Sequence, residues 1–255
     1  MLTTLVALCL AAFVAGLVDA IAGGGGLIQL PALLILLPDA ALPALLGTNK
    51  LASLCGTSVA TVSYARQVAI PWRAALPAAA CALFASFAGA RVVTLLRPDL
   101  LKPIVLLLLV AVAVYTFAQK KFGGEQLQLA AAQRSVLVGA AMGGAIGFYD
   151  GFFGPGTGSF LIFLFVALFG LDFLHASAAA KLVNVVTNLA ALSYFALSGN
   201  VSYRLAVPMA ACNILGAMVG TRLAVARGNK LVRLVFMLMI GAVIARFAYD
   251  VVRGW

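Results

Sequence analysis

Ten apolar stretches follow one another along this chain with almost nothing between them. They run from about 4 to 21, 26 to 37, 44 to 65, 73 to 96, 100 to 118, 134 to 150, 157 to 170, 173 to 197, 204 to 226 and 231 to 251, with Pro, Gly or charge at the breaks. A membrane-spanning helix needs about 20 apolar residues, so these stretches consume most of the 255 positions and leave no length for a soluble domain. Only 9% of the residues are charged, against about 25% in soluble domains. The chain is therefore expected to be all-α, a polytopic membrane protein of about ten hydrophobic segments.

Two of the breaks are alike. The first reads Gly16-Leu17-Val18-Asp19-Ala20-Ile21-Ala22-Gly23-Gly24-Gly25-Gly26 and the second Gly147-Phe148-Tyr149-Asp150-Gly151-Phe152-Phe153-Gly154-Pro155-Gly156-Thr157-Gly158. Each places a lone carboxylate four residues ahead of a cluster through which a helix passes only at high cost. A single offset of 131 residues aligns Asp19 with Asp150, Gly23 with Gly154, Lys50 with Lys181, Arg73 with Arg204, Pro77 with Pro208, Gly89 with Gly220 and Arg91 with Arg222. Matching Asp, Lys, Pro and Arg at one register without a gap points to an internal repeat. The expected organisation is a first membrane repeat over 1–121, a linker over 122–133 and a second repeat over 134–255. The long polar interval from Gln119 to Arg134, with Lys120, Lys121, Gly123, Gly124 and Glu125, marks the join.

Orientation follows from parity and charge. With five crossings per half, nine Lys and Arg fall on one side and six on the other; with four, eight and seven. The positive-inside rule then favours inverted repeats with both termini outside. Stretches 26 to 37 and 157 to 170 are short for full spans and suit re-entrant half-helices. The first twenty residues lack a basic leader region, so they read as a first membrane helix rather than a cleaved signal. The net charge of +10 reads as anchoring at the cytoplasmic face, not nucleic-acid binding. Cys9, Cys55, Cys81 and Cys212 lie in apolar sequence without metal-site or redox spacing and read as small core residues.

The glycine breaks leave backbone N–H groups free where an apolar helix begins, at the positive end of its dipole, and an anion is their natural partner. Gly24, Gly25 and Gly26, and in the second copy Pro155, Gly156, Thr157 and Gly158, are thus candidates for substrate contact. The competing reading is close helix packing by small residues. Lys50, Ser53 and Thr57 recur at i, i+3 and i+7, and Lys181, Asn184 and Asn188 repeat the spacing, so each set lies on one helix face. Both lysines sit roughly 12 Å from a helix end, where either an inward face or snorkelling to the headgroups is open. Asp19 and Asp150 leave two roles open: proton coupling, or a structural role capping the break or pairing with Lys50 or Lys181. His175 beside Asp172, and Trp72, Tyr203 and Trp255, read as interfacial; Asn213 reads as a bond between helices.

The sequence resembles the TauE/SafE sulfite exporters, the 4-toluene sulfonate uptake permease type of membrane transporter. The resemblance is carried by Val18-Asp19-Ala20-Ile21-Ala22-Gly23-Gly24-Gly25-Gly26-Leu27-Ile28, Pro31-Ala32-Leu33-Leu34, Gly47-Thr48-Asn49-Lys50, the second break, and Ala180-Lys181 with Asn184 and Asn188. It covers nearly the whole chain. It implies a transporter in a bacterial inner membrane that exports sulfite, sulfonates or related small sulfur-containing anions, with Asn49 joining the candidate site and with no cofactor. The implied partners are that anion and the lipid bilayer, with a homo-oligomer left open. An anion channel shares the same features. An intramembrane aspartyl protease would also carry two membrane aspartates, and Tyr149-Asp150 is similar to one of its motifs, but its Gly-x-Gly-Asp partner is absent.

Overall fold

A computed structural model describes residues 2–96 and 132–253. The apolar stretch 100 to 118, nearly all of the linker 122–133 and Trp255 lie outside the described residues. All described secondary structure is helical: α1 (Leu2–Ala22), α2 (Gly26–Leu36), α3 (Leu42–Ala65), α4 (Trp72–Leu95), α5 (Ala132–Phe152), α6 (Thr157–Phe169), α7 (Phe173–Leu197) and α8 (Tyr203–Arg253). Gly228 interrupts α8 with φ 63°, between the stretches expected at 204 to 226 and 231 to 251.

Among the described residues, four helices are long and apolar enough to cross a bilayer: Leu2–Ala22, Trp72–Leu95, Phe173–Leu197 and Tyr203–Val232. The 24-residue α3 is as long but carries the polar stripe. α2 and α6 have 11 and 13 residues, or about 17 and 20 Å at the usual helical rise, and neither alone reaches across the roughly 30 Å hydrocarbon layer. Local chemistry fixes several ends. Asp172 caps α7 by accepting the N–H groups of Leu174 and His175. Gly170, left-handed at φ 65°, closes α6 through bonds to the carbonyls of Phe165 and Val166.

The outer surface is apolar, unlike that of a soluble protein. α1 exposes Leu2, Val6, Leu10 and Val14 along one ridge, and α8 exposes Val207, Leu215, Val219 and Leu223. Lys50, Asp150, Lys181, Asn49, Asn184 and Asn188 are buried instead. That distribution suits lipid outside and a polar interior.

Helices pack more extensively across the two halves than within them. α1 lies along α8 and α4 along α5; α3 also meets α8, and α4 meets α7. Hydrocarbon supplies no hydrophobic drive for such contacts, so close approach of small residues must hold them. A Cβ on Gly220 would strike the Leu17 carbonyl and lie 2.9 Å from the Ala20 Cβ. One on Gly89 would strike the Phe148 carbonyl and lie 2.7 Å from the Phe152 nitrogen. Leu17 and Phe148 are 131 residues apart, as are the two glycines, so one crossing is built twice.

Candidate functional site

The two breaks meet at the centre of the molecule. After Asp19, α1 runs on to Ala22 and ends at Gly23, which turns at φ 74°; after Asp150, α5 ends and Gly154 turns at φ 96°. A side chain on Gly23 would lie 2.5 Å from the Ser159 nitrogen, and one on Gly158 would lie 2.9 Å from the Gly23 Cα. Backbone therefore touches backbone where the breaks cross. Ser159 adds a bond by donating to the Ala22 carbonyl at 3.3 Å.

Beside this crossing lies a polar cavity lined by Asp19, Gly24, Gly26, Asn49, Lys50, Ser53, Thr57, Asp150, Gly154, Gly156, Thr157, Gly158, Asn184 and Asn188. The stripes of α3 and α7 thus face inward and meet the breaks. Three expected residues do not reach this lining. Gly25 lies behind it and donates its N–H to Asp19 Oδ1 at 3.3 Å. Pro155 instead packs against Gly26 and offers its carbonyl to the Tyr149 hydroxyl at 2.5 Å. Lys181 has no exposed surface and is turned to Asp19.

The charged groups pair between the halves. Lys50 Nζ lies 2.7 Å from Asp150 Oδ2, and Lys181 Nζ lies 3.0 Å from Asp19 Oδ2. The lysine of each repeat takes the aspartate of the other, so the two pairs are one arrangement presented twice. Lys181 also donates to the Asp19 backbone carbonyl. Each carboxylate has an ammonium beside it, unlike the dyad of an aspartyl protease, where two carboxyl groups share one proton. Two positive and two negative groups leave the cavity formally neutral.

Several polar atoms at the site are free for a ligand. Among the described residues, no hydrogen bond occupies the Ser53 hydroxyl, the Asn49 side chain or the Asn184 amide nitrogen, and Asn49 Oδ1 is buried without a partner. Asn188 is committed: its amide donates to the Asn184 backbone carbonyl at 2.8 Å and to Asn184 Oδ1 at 3.0 Å.

Asn213 bonds across helices as expected, donating to Gln29 Oε1 at 2.8 Å, while Gln29 Nε2 reaches the Asn49 carbonyl at 3.4 Å. Gln29 is fully buried and ties α2 to both α3 and α8. Nothing in the sequence reading singled it out, although it is the one polar side chain of α2. Gly154 was likewise seen only as part of a break. A side chain there would sit 2.8 Å from Lys50 Nζ.

At the far end of α7, His175 Nδ1 lies 2.6 Å from Asp172 Oδ2. Partial burial pushes the Asp172 carboxyl up, but hydrogen bonds from the His175 backbone and ring and from Leu174 outweigh it and hold the group below its usual range. The four cysteines are free and half-buried.

Residues 8–247 match the family described as Sulfite exporter TauE/SafE. The "Probable membrane transporter protein ORF9" of a Sinorhizobium species is 40% identical over 245 residues, covering 95% of this chain and 92% of its own. "Probable membrane transporter protein YfcA" of Escherichia coli K12 is 35% identical over 243 residues, 94% of this chain and 87% of its own. A "Probable membrane transporter protein" of Haemophilus influenzae is 34% identical over 244 residues, 95% and 93% of the two chains. No solved structure matches significantly. Apolar helices wrapped around a buried polar centre agree with these likenesses along nearly the full chain, and the protein belongs to the TauE/SafE family of membrane transporters.

Proposed function

We propose that this protein is a secondary carrier that exports small sulfur-containing anions, such as sulfite or sulfonates, by alternating access. The observation that supports it best is the crossed pairing Lys50–Asp150 and Lys181–Asp19 around one cavity at the meeting of the two halves. An oxyanion entering a membrane must exchange its hydration for fixed donors. Here it would meet the Lys50 ammonium, the Ser53 hydroxyl, the amides of Asn49 and Asn184, and the first turn of α6 at Gly158. The free side-chain donors on the two sides differ, the Ser53 hydroxyl on α3 against the Asn184 amide on α7, which suits an asymmetric anion better than a spherical one.

Equivalent pairs at a shared interface also suit a rocking motion, because the interactions released on one side have counterparts on the other. We take the repeats as inverted, the termini as outside and the membrane as a bacterial inner membrane.

The test is purified protein in liposomes challenged with sulfite, sulfate, thiosulfate, taurine and isethionate, beside Lys50→Ala. Saturable flux and counterflow that Lys50→Ala lowers at least tenfold are expected, on the order of the loss of one charge-assisted contact. Unitary currents would identify an anion channel instead. If none of these anions moves, the substrate class is wrong.

A further inference from the structure

The two ion pairs occupy equivalent positions, yet their carboxylates are held differently. Asp19 has three side-chain bonds: Gly25 N–H at 3.3 Å, Thr57 Oγ1 at 3.4 Å and Lys181 Nζ at 3.0 Å. Asp150 Oδ2 pairs with the Lys50 ammonium at 2.7 Å, and neither a backbone N–H nor a hydroxyl joins the lysine there. Burial sharpens the contrast, since the Asp150 side chain is 2% exposed and that of Asp19 15%.

The sequence explains the difference. The counterpart of Thr57 is Asn188, whose amide is spent on Asn184. The counterpart of Gly25 is Gly156, which is left-handed at φ 84° where Gly25 is helical at φ −54°, so its N–H does not repeat the bond to the carboxylate. The lysines differ as well: Lys50 lines the cavity and Lys181 does not.

We propose that Lys50–Asp150 is the exchangeable pair and Lys181–Asp19 the fixed one. An arriving oxyanion takes the Lys50 ammonium, and Asp150 Oδ2, left without a donor, takes a proton from water on the open side. A monoanion then crosses with one proton, and the cavity stays neutral throughout. Release on the other side returns the proton to water and Lys50 to Asp150. A buried carboxylate stripped of its partner is protonated rather than left charged, because its desolvation cost is then uncompensated. The other ionisable groups around Asp150 are Tyr149 on its own helix, Asp19 on α1 and Lys181 on α7. α2 and α6 carry no ionisable side chain, and Arg73 and Arg91 of α4 are exposed. The inference rests on the carrier reading above, with export by this route driven by the outward anion gradient, because the accompanying proton adds no outward drive.

The test uses isethionate and methanesulfonate, which stay monoanions across the pH range, in proteoliposomes with the membrane potential clamped at zero. One proton per anion predicts roughly tenfold accumulation per unit of pH gradient, indifferent to an imposed potential. Asp150→Asn is expected to abolish pH-driven accumulation and make any residual flux respond to potential. Asp19→Asn is expected to lower both the amount of folded protein and the flux, while the flux that remains stays coupled to the pH gradient. The double variant Lys50→Met/Asp150→Asn leaves no unpaired charge, so it folds, and it too should lose pH-driven accumulation. Persistence of that accumulation in either Asp150 variant, or flux in Asp19→Asn that no longer follows the pH gradient, overturns the assignment. Wild-type flux that ignores the pH gradient overturns it while sparing the carrier reading. If the wild type moves neither sulfonate the inference falls, and sulfite flux in the same vesicles then decides whether the carrier reading survives.

Discussion

Removing Lys181 tests whether a buried ion pair holds the two halves together. Its Nζ is 3.0 Å from Asp19 Oδ2, with no exposure of the lysine side chain. Breaking a buried pair by deleting one partner costs about 3 to 5 kcal/mol, most of it the desolvation of the charge left behind. Lys181→Met leaves an Asp19 that keeps Gly25 N–H and Thr57, so we expect the lower end, about 3 kcal/mol. Asp19→Asn leaves the enclosed lysine with a backbone carbonyl and an amide oxygen, and we expect the upper end, about 5 kcal/mol.

The double variant Lys181→Met/Asp19→Asn leaves no charge, and its amide can still use Gly25 N–H and Thr57. It should lose only about 1 to 2 kcal/mol. At roughly 2 to 4 °C per kcal/mol for a chain of this size, Tm should fall by about 6 to 12 °C, about 10 to 20 °C and less than about 8 °C respectively. Four half-buried free cysteines allow a thiol-reactive dye to follow unfolding in detergent. A double variant as unstable as the sum of the singles would refute the reasoning, because the contact would then carry no coupling energy.

Two further outcomes follow from packing and from charge. Gly89→Ala and Gly220→Ala each drive a methyl group into a facing backbone; each should cost about 1 to 3 kcal/mol, and a neutral result in the same thermal assay would mean that these helices do not cross so closely. Asp172→Asn keeps a competent cap but removes the charge facing His175 and the start of α7, at a cost of at most about 1 kcal/mol, reduced because the side chain is half in water. The Asp172 carboxyl is held below its usual range when folded, so its contribution is present above the unfolded value and is lost as pH falls through the folded one. The Tm difference between wild type and Asp172→Asn should accordingly be present near neutral pH and shrink progressively as pH falls below about 4.

Much of the site was legible because its parts are local. A carboxylate four residues ahead of glycines, and a polar stripe at i, i+3 and i+7, are properties of single segments, and both lead to the cavity. Partner choice was not legible. Periodicity puts Lys181 on one face with Asn184 and Asn188, but only the three-dimensional crossing gives each lysine the aspartate of the other half. For the same reason Lys181 reads as a substrate contact in sequence and lies sealed behind Asp19 in the fold. Gly25 and Pro155 miss the cavity because a break has two sides, and the sequence does not say which one faces the void. Gln29 stood out least, one amide in an apolar run, until its bond to Asn213 placed it between three helices.

The first helix lies against the last. α1 is complete at Ala22, and its neighbour α8 begins at Tyr203, so at ordinary translation rates of about 5 to 20 residues per second α1 waits roughly ten seconds or more for its partner. During that interval only lipid surrounds the face that will carry Gly16 and Ala12. A helix that must be at home in the bilayer before it has neighbours needs to be more apolar than those that arrive later. Among the four long apolar helices α1 has a mean hydropathy of 2.5, against 1.7, 1.3 and 1.5 for the others. The order of synthesis is thus written into which helix can least tolerate a polar substitution on its outer face.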